Sequence, residues 1–356
     1  MEAVNLPPPF HGLLRDFLEP IAPDPVTYGV IRSLSDENLR AQALAPVLSS
    51  DPAYVRYLLA QSFLAERMAE WAAENGEKNA PLGYSVLLER ILGLLGKAPI
   101  RNLIACARQD RLAKLPAKPE NPDDKVSVTP SKELPFALAA ETLCQDKGWI
   151  HPERAFDAGL HYDWLAALLS ARKGPPDEKT ALASAFKEGL LLAKTAYCLG
   201  QALPDMRLGA DLFSAGLLAP LGKVVMACLY PASANPSWAA FAKECDAAGN
   251  HQLDHYAFRE HRKFPVTHPQ LSALLVSFGA VSRGVDKAVA FYLWPEALRH
   301  SGADIFQLAS ALSVAARMAR HGDKQIPLES FHERWLLANG ITADALKQAA
   351  QSALQS

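Results

Sequence analysis

Apolar residues recur along most of this chain at steps of three and four, the period of an amphipathic helix. Between Asp51 and Asn75 the stripe runs through Tyr54, Leu58, Leu59, Phe63 and Met68, and Asp51-Pro52 supplies an N-cap followed by proline at the first helical position. A second stripe over Tyr84–Leu95 passes through Val86, Leu87, Ile91 and Leu95 and closes at Gly96, a C-cap residue. Pro99 then opens a helix carrying Ile100, Leu103, Ile104 and Ala107. Further helices are predicted over Pro135–Gln145, over Pro152–Leu169 with Phe156, Leu160, Trp164 and Leu168 on one face, and from about Thr180 to Leu203. No segment alternates with period two and no hairpin dipeptide lies between β-branched runs. The pattern therefore predicts an all-α protein, a multi-helical bundle of two lobes.

Two breaks divide the stripes. Leu115–Leu134 holds Pro116, Pro119, Pro122 and Pro130 among Lys, Glu and Asp. That composition buries too little apolar surface to offset its ordering entropy, so it reads as an exposed linker that proteases cut first. Lys173-Gly174-Pro175-Pro176-Asp177 is the second break. The expected organisation is an N-terminal segment 1–29, a helical lobe 30–114, the linker 115–134, a larger helical lobe 135–322 and a helical extension 323–356.

Composition narrows the function classes. Of 356 residues, 49% are apolar and 21% charged, which places the chain among ordinary globular proteins. A net charge of −2 gives no electrostatic footprint for nucleic acid. Cys106, Cys144, Cys198, Cys228 and Cys245 are widely spaced without a CxxC, and are read as buried thiols. The first residues lack a basic n-region and an apolar h-region, and no run of eighteen apolar residues occurs. A cytoplasmic protein without a membrane span is expected.

Several residues invite chemistry. His251 and His255 stand four apart on a predicted helix, with Asp254, Glu260 and His261 nearby, a spacing that can present two imidazoles to one cation. The segment 252–262 is strongly polar, and a solvated face is the expected reading. His161 and Asp163 fall on different sides of a helix and are not expected to ligate together. Arg101, Asn102 and Arg108, and likewise Arg317, Arg320 and His321, read as solvated faces, the latter suiting a helix C-terminus. Trp164, Trp238, Phe241, Tyr292 and Trp294 are expected in the core. There is no GxSxG elbow and no phosphate-cradling glycine loop, Gly93 and Gly96 belonging to a helix turn.

One stretch carries more information than the rest. Phe213-Ser214-Ala215-Gly216-Leu217-Leu218-Ala219-Pro220-Leu221-Gly222-Lys223 has the outline of the segment that holds the metal-binding His-Asp pair in HD-type phosphohydrolases, with Ala219-Pro220 where the pair would stand. Neither Ala nor Pro offers a side-chain ligand. Around it lie Asp51-Pro52, the run Ser85–Gly96 followed by Ile100-Arg101-Asn102-Leu103, then His268-Pro269-Gln270-Leu271-Ser272-Ala273-Leu274-Leu275, Ala288–Glu296 and Ile305–Met318. In this order they resemble the HDOD family, a bacterial all-α signalling module related to HD and HD-GYP phosphohydrolases, over most of residues 30–322.

The resemblance implies an HD-like lobe over 135–322, with the linker and the Phe156–Leu169 helix as an insertion. It implies degenerate ligand positions at Glu188, Ala219, Pro220 and Ser310, with Tyr292-Leu293 where HD-GYP relatives carry paired histidines. Only His268 keeps a ligand-capable type, and one imidazole does not hold a hydrolytic metal. The resemblance therefore implies a non-catalytic regulator without metal or cofactor. It would act on protein partners of a bacterial signalling pathway through a groove between the lobes, with His268, Arg101, Tyr292 and Trp294 as candidate groove residues. Three other readings stand beside it: a phosphohydrolase with Glu188, His251, His255 and His268 as atypical ligands, a module binding a nucleotide second messenger, and a structural partner of a larger complex. If the Gly216–Lys223 frame persists for packing, Leu217, Leu218 and Leu221 should be buried. Gly216 and Gly222 should then lie at close helix contacts or at a helix end.

Overall fold

The computed structural model describes residues 25–34, 40–49, 54, 92–93, 96–113, 134–149, 151–171, 176–204, 208–234, 236–247, 253–277, 284–321, 328 and 330–355. Among them every regular element is a helix and none is a strand, as the periodicity predicts. The Asp51–Asn75 helix (Tyr54 apart), most of the Tyr84–Leu95 helix and the 115–134 linker (Leu134 apart) lie outside the described residues. The described residues fall into two compact units, one within Ala22–Leu134 and one within Pro135–Ser356.

In the first unit α1 (Pro25–Leu34) packs on α3 (Lys97–Ala113), with α2 (Ala45–Ser49) beside α1. Gly96 has φ +74°, a conformation that favours glycine, and its N–H reaches the Leu92 carbonyl at 3.4 Å. That is the C-cap expected there, immediately before α3. The buried face of α3 includes Ile104, Ala105 and Leu112, and also Arg101 and Arg108, which are 7% and 3% exposed. The expected solvated face is thus corrected. Residues 101, 104, 105, 108 and 112 share one side of the helix, and an arginine stem packs there like any aliphatic chain.

The second unit contains α4 (Pro135–Asp146), α5 (Pro152–Ala171), α6 (Pro176–Gln201), α7 (Leu208–Leu218), α8 (Leu221–Leu229), α9 (Trp238–Ala247), α10 (Leu253–Lys263) and α11 (His268–Ser277). After these come α12 (Val285–Phe291), α13 (Ala303–His321), α14 (Ser330–Ala338) and α15 (Ala343–Gln355). Helix α6 is the hub, packing against α5, α7, α8, α13 and α15. It starts at Pro176, a first-turn proline, rather than near Thr180. Helix α5 is buried almost all round, which is why its one-face stripe understates it. The stretch Leu208–Leu229 is apolar enough to reach across a bilayer, but most of it is buried inside the protein and it is two helices of the core. Helices α14 and α15 contribute Phe331, Trp335, Leu336, Leu346, Ala349 and Ala350 to the same core.

Candidate functional site

The corner between α7 and α8 is where sequence and packing meet. Ala219-Pro220 forms the turn, with Pro220 at the N-cap position of α8, as its missing N–H requires. The last carbonyls of α7 then need donors from outside the helix. The Tyr162 hydroxyl donates to the Leu217 carbonyl at 2.7 Å, and the Ser272 hydroxyl donates to the Ala219 carbonyl at 2.7 Å. Ser272 Oγ also accepts the Gly222 N–H at 2.6 Å, so one serine of α11 satisfies both sides of the turn. Leu217, Leu218 and Leu221 are buried, as expected of a packing frame. A Cβ on Gly216 would stand 2.7 Å from the Ala193 Cα of α6, and one on Gly222 would run into the His268 carbonyl. Both glycines therefore mark close helix contacts.

Beside this corner lies a cavity of about 430 Å³ within the Pro135–Ser356 unit. Its walls come from α6 (Glu188, Leu191, Leu192), α8 (Lys223), α9 (Trp238), α10 (Tyr256), α11 (His268), α13 (Arg320) and the residues after α12 (Tyr292, Leu293). Trp238 packs with Phe241, Tyr256 and Phe264 at ring separations of 5.5–6.3 Å, and the His268 ring meets Trp238 and Tyr256 at 6.1 and 5.8 Å. One wall is therefore an aromatic cluster and the other is polar.

The polar groups form two linked sets. Lys223 Nζ donates to both carboxylate oxygens of Glu188, at 2.6 and 2.8 Å. Burial works against the charged form of Glu188, but the charge and hydrogen bonds of Lys223, with His268 and Arg320, outweigh it and hold the carboxyl below its ordinary value. Deeper in, the fully buried Glu260 accepts the His268 backbone N–H at 2.6 Å and pairs with His268 Nδ1 at 2.7 Å. His268 Nε2 lies 3.3 Å from the Tyr292 hydroxyl. Burial, with Glu188 and Glu260 nearby, pushes the Tyr292 phenol far up, so it stays neutral. Thr267 caps the start of α11: its N–H and hydroxyl both donate to Gln270 Oε1, at 2.9 and 3.1 Å, and this capping fixes the direction of His268.

The donor set does not fit a hydrolytic metal centre. Glu188 is engaged by Lys223, Ala219 and Pro220 bring no ligand atom, and His268 is turned by Glu260 and Tyr292. Ser310 is buried in α13 and is not a wall of the cavity. Among the described residues no three His, Cys, Asp or Glu side chains converge.

The cavity brings together Glu188, His268 and Tyr292, and sets Ala219-Pro220 one turn from Lys223. Two candidate groove residues are not walls of this cavity. Arg101 belongs to the Ala22–Leu134 unit, where it is buried, and Trp294 is 37% exposed and takes no part in the cavity. Trp294 sits where α12 has ended and a short 3₁₀ turn begins, so its ring points outward instead of joining the core. The other four expected core aromatics, Trp164, Trp238, Phe241 and Tyr292, are buried. Arg317 is 1% exposed, against the solvated reading, while Arg320 is exposed at the helix end and reaches the cavity rim. His251 and the side chain of His255 lie outside the described residues. His161 and Asp163 do not meet: His161 Nδ1 lies 3.1 Å from the Asp157 carbonyl, while Asp163 accepts the Phe136 and Ala137 N–H groups at 3.2 and 2.9 Å. Cys106, Cys144 and Cys245 are buried thiols and Cys198 and Cys228 partly so.

The sequence pattern places Glu260 only beside His251 and His255, Lys223 and Ser272 only within motif segments and Trp238 only in the core, and it assigns none of these, nor Tyr256, to this site. A signal for Glu260 is nonetheless present. Tyr256, Glu260 and Phe264 recur at intervals of four, one inward stripe on a helix whose overall polarity hides it. No protein-family signature, no curated protein and no solved structure matches this chain.

Proposed function

We propose that this chain is a non-catalytic regulator of the HDOD type that acts by binding another protein. The observation that carries the reading is the use made of the HD-like frame. Where a hydrolase would hold its metal, Lys223 closes on Glu188 and Ser272 ties the Ala219-Pro220 turn to α11. The frame is kept and its polar groups serve packing and internal pairing, which suits a protein that presents a shaped surface. Partners of a bacterial signalling pathway are the class such a regulator serves.

The test combines activity and association. The purified full chain, supplied with Mn²⁺, is assayed against a chromogenic phosphodiester, alongside an Ala219→His/Pro220→Asp variant. Neither is expected to exceed the protein-free blank, since Glu188 and Ser310 also depart from the ligand pattern. A specific partner should copurify with the full chain from its native cell and bind the two-residue variant equally well. Hydrolysis by the natural chain that disappears in Glu188→Gln would overturn the reading.

A further inference from the structure

We propose that the cavity of the Pro135–Ser356 unit binds a small neutral aromatic molecule carrying a hydrogen-bond donor, its ring beside Trp238 and Tyr256 and its donor toward the Tyr292 hydroxyl. The proposal goes beyond the regulatory reading and does not rest on it. Charge is the first argument. Two basic side chains, Lys223 and Arg320, stand round the cavity with two carboxyl groups, Glu188 on the wall and Glu260 behind His268. Lys223 gives two of its three ammonium hydrogens to Glu188, and Glu260 is taken up by the backbone N–H and the ring of His268. An anion would lie near Glu188 and Glu260, a cation near Lys223 and Arg320, and either would compete with the Lys223–Glu188 pair. A neutral molecule leaves these pairs intact.

Shape is the second argument. Helix α6 lines the cavity with Ala181, Ser184 and Ala185 and α13 with Ala316 and Ala319, so small side chains leave the space open. Beside that space stand Trp238 and Tyr256, their rings 6.3 Å apart, with the His268 ring 6.1 and 5.8 Å from them. Aromatic rings at such separations accommodate a further planar ring. A volume of about 430 Å³ lies within the range of small-molecule sites, roughly 300–1,000 Å³. Ser184 and Glu188 are exposed, whereas Leu192, His268 and Tyr292 are buried, so the cavity has an open mouth and a dry floor. The polar contact lies at that floor. With Glu260 on Nδ1 of His268, Nε2 accepts the Tyr292 O–H at 3.3 Å, and the phenol oxygen keeps an acceptor position for a donor in the cavity.

Three indoles with the same short arm are the probes: tryptophol, which is neutral, indole-3-propionate, an anion, and tryptamine, a cation. Each is titrated into the full chain by calorimetry. Tryptophol is expected to bind one per chain and each ion at least about tenfold more weakly. Raising the salt should leave tryptophol binding in place, because no charge of the ligand is there to be screened. Tyr292→Phe should weaken tryptophol by about three- to tenfold, the worth of one hydrogen bond. Ser184→Trp, which fills the mouth, should abolish its binding. Ser184 is exposed, so its variant keeps the test alive if Tyr292→Phe fails to fold. Binding of either ion as tight as that of tryptophol, tryptophol binding that survives Ser184→Trp or is unchanged by Tyr292→Phe, or no binding at millimolar tryptophol would overturn the proposal.

Discussion

Glu260 holds the inner side of the cavity through one residue: it takes the His268 N–H and pairs with the His268 ring while no part of it reaches solvent. Glu260→Ala would leave both His268 groups buried without that acceptor. A loss of about 3 kcal/mol or more in urea unfolding is expected. His268→Ala in the same background should cost far less than it does alone, because its partner is already gone. Asp163 is a second residue of this kind. Burial pushes its carboxyl up to about 7, and the two N–H bonds from the start of α4 pull only partly the other way. The folded protein then keeps a proton that the unfolded chain has released from about pH 4 upward. Stability should therefore fall as pH rises from about 4 to about 7 and level off beyond. Urea midpoints measured across that window should decline in the natural chain and flatten in Asp163→Asn. The residue scale also shows where the sequence is mute. His268 stands out because a motif points to it, whereas Glu260 sits in a run of charges and Arg317 near a helix end. Whether such a charge faces inward depends on neighbours from other helices.

At the scale of elements, the all-α class and the bounds of α4 and α5 are legible to within two residues, because prolines mark their starts and apolar stripes their length. The pairing of elements is not, since nothing local says that α11 lies against the α7–α8 corner. Only the glycines hint at it. Gly222 lets α8 touch the His268 carbonyl of α11, and Gly216 lets α7 touch α6 at Ala193. Gly222→Ala should force the two helices apart and cost about 1–3 kcal/mol, the usual range for overpacking. Ser272→Ala should cost about as much by leaving the Ala219 carbonyl and the Gly222 N–H without their shared partner. Leu218→Ala, at a fully buried site, should cost about 2–5 kcal/mol. Thermal and urea unfolding of the three variants checks all of them. A Leu218→Ala loss below about 1 kcal/mol would mean that the frame is not core, and the HDOD reading would fall with it.

At the scale of the molecule, the last two helices decide whether residues 135–322 form a unit by themselves. Helix α15 lays Leu346, Ala349, Ala350 and Ala353, spaced three and four apart, along the buried side that meets α6. Helix α14 buries Phe331, Trp335 and Leu336, and two hydrogen bonds tie it to α13. The Trp335 indole N–H donates to Gln307 at 2.8 Å, and His332 Nε2 lies 3.0 Å from the Ser313 hydroxyl. A chain ending at His321 would lose these groups and expose the faces of α6 and α13 that they cover. Phe331, Trp335, Leu336 and Leu346 alone represent roughly 6–12 kcal/mol at about 1.5–3 kcal/mol for each large apolar side chain. That is comparable to the whole stability of an ordinary domain, about 5–15 kcal/mol. The truncated chain is therefore expected to lose its cooperative urea transition and its near-ultraviolet aromatic signal while keeping part of its helical content. A truncated chain that unfolds cooperatively within about 1 kcal/mol of the full one would show α14 and α15 to be an accessory. The same single transition should reappear when residues 322–356 are restored to the chain.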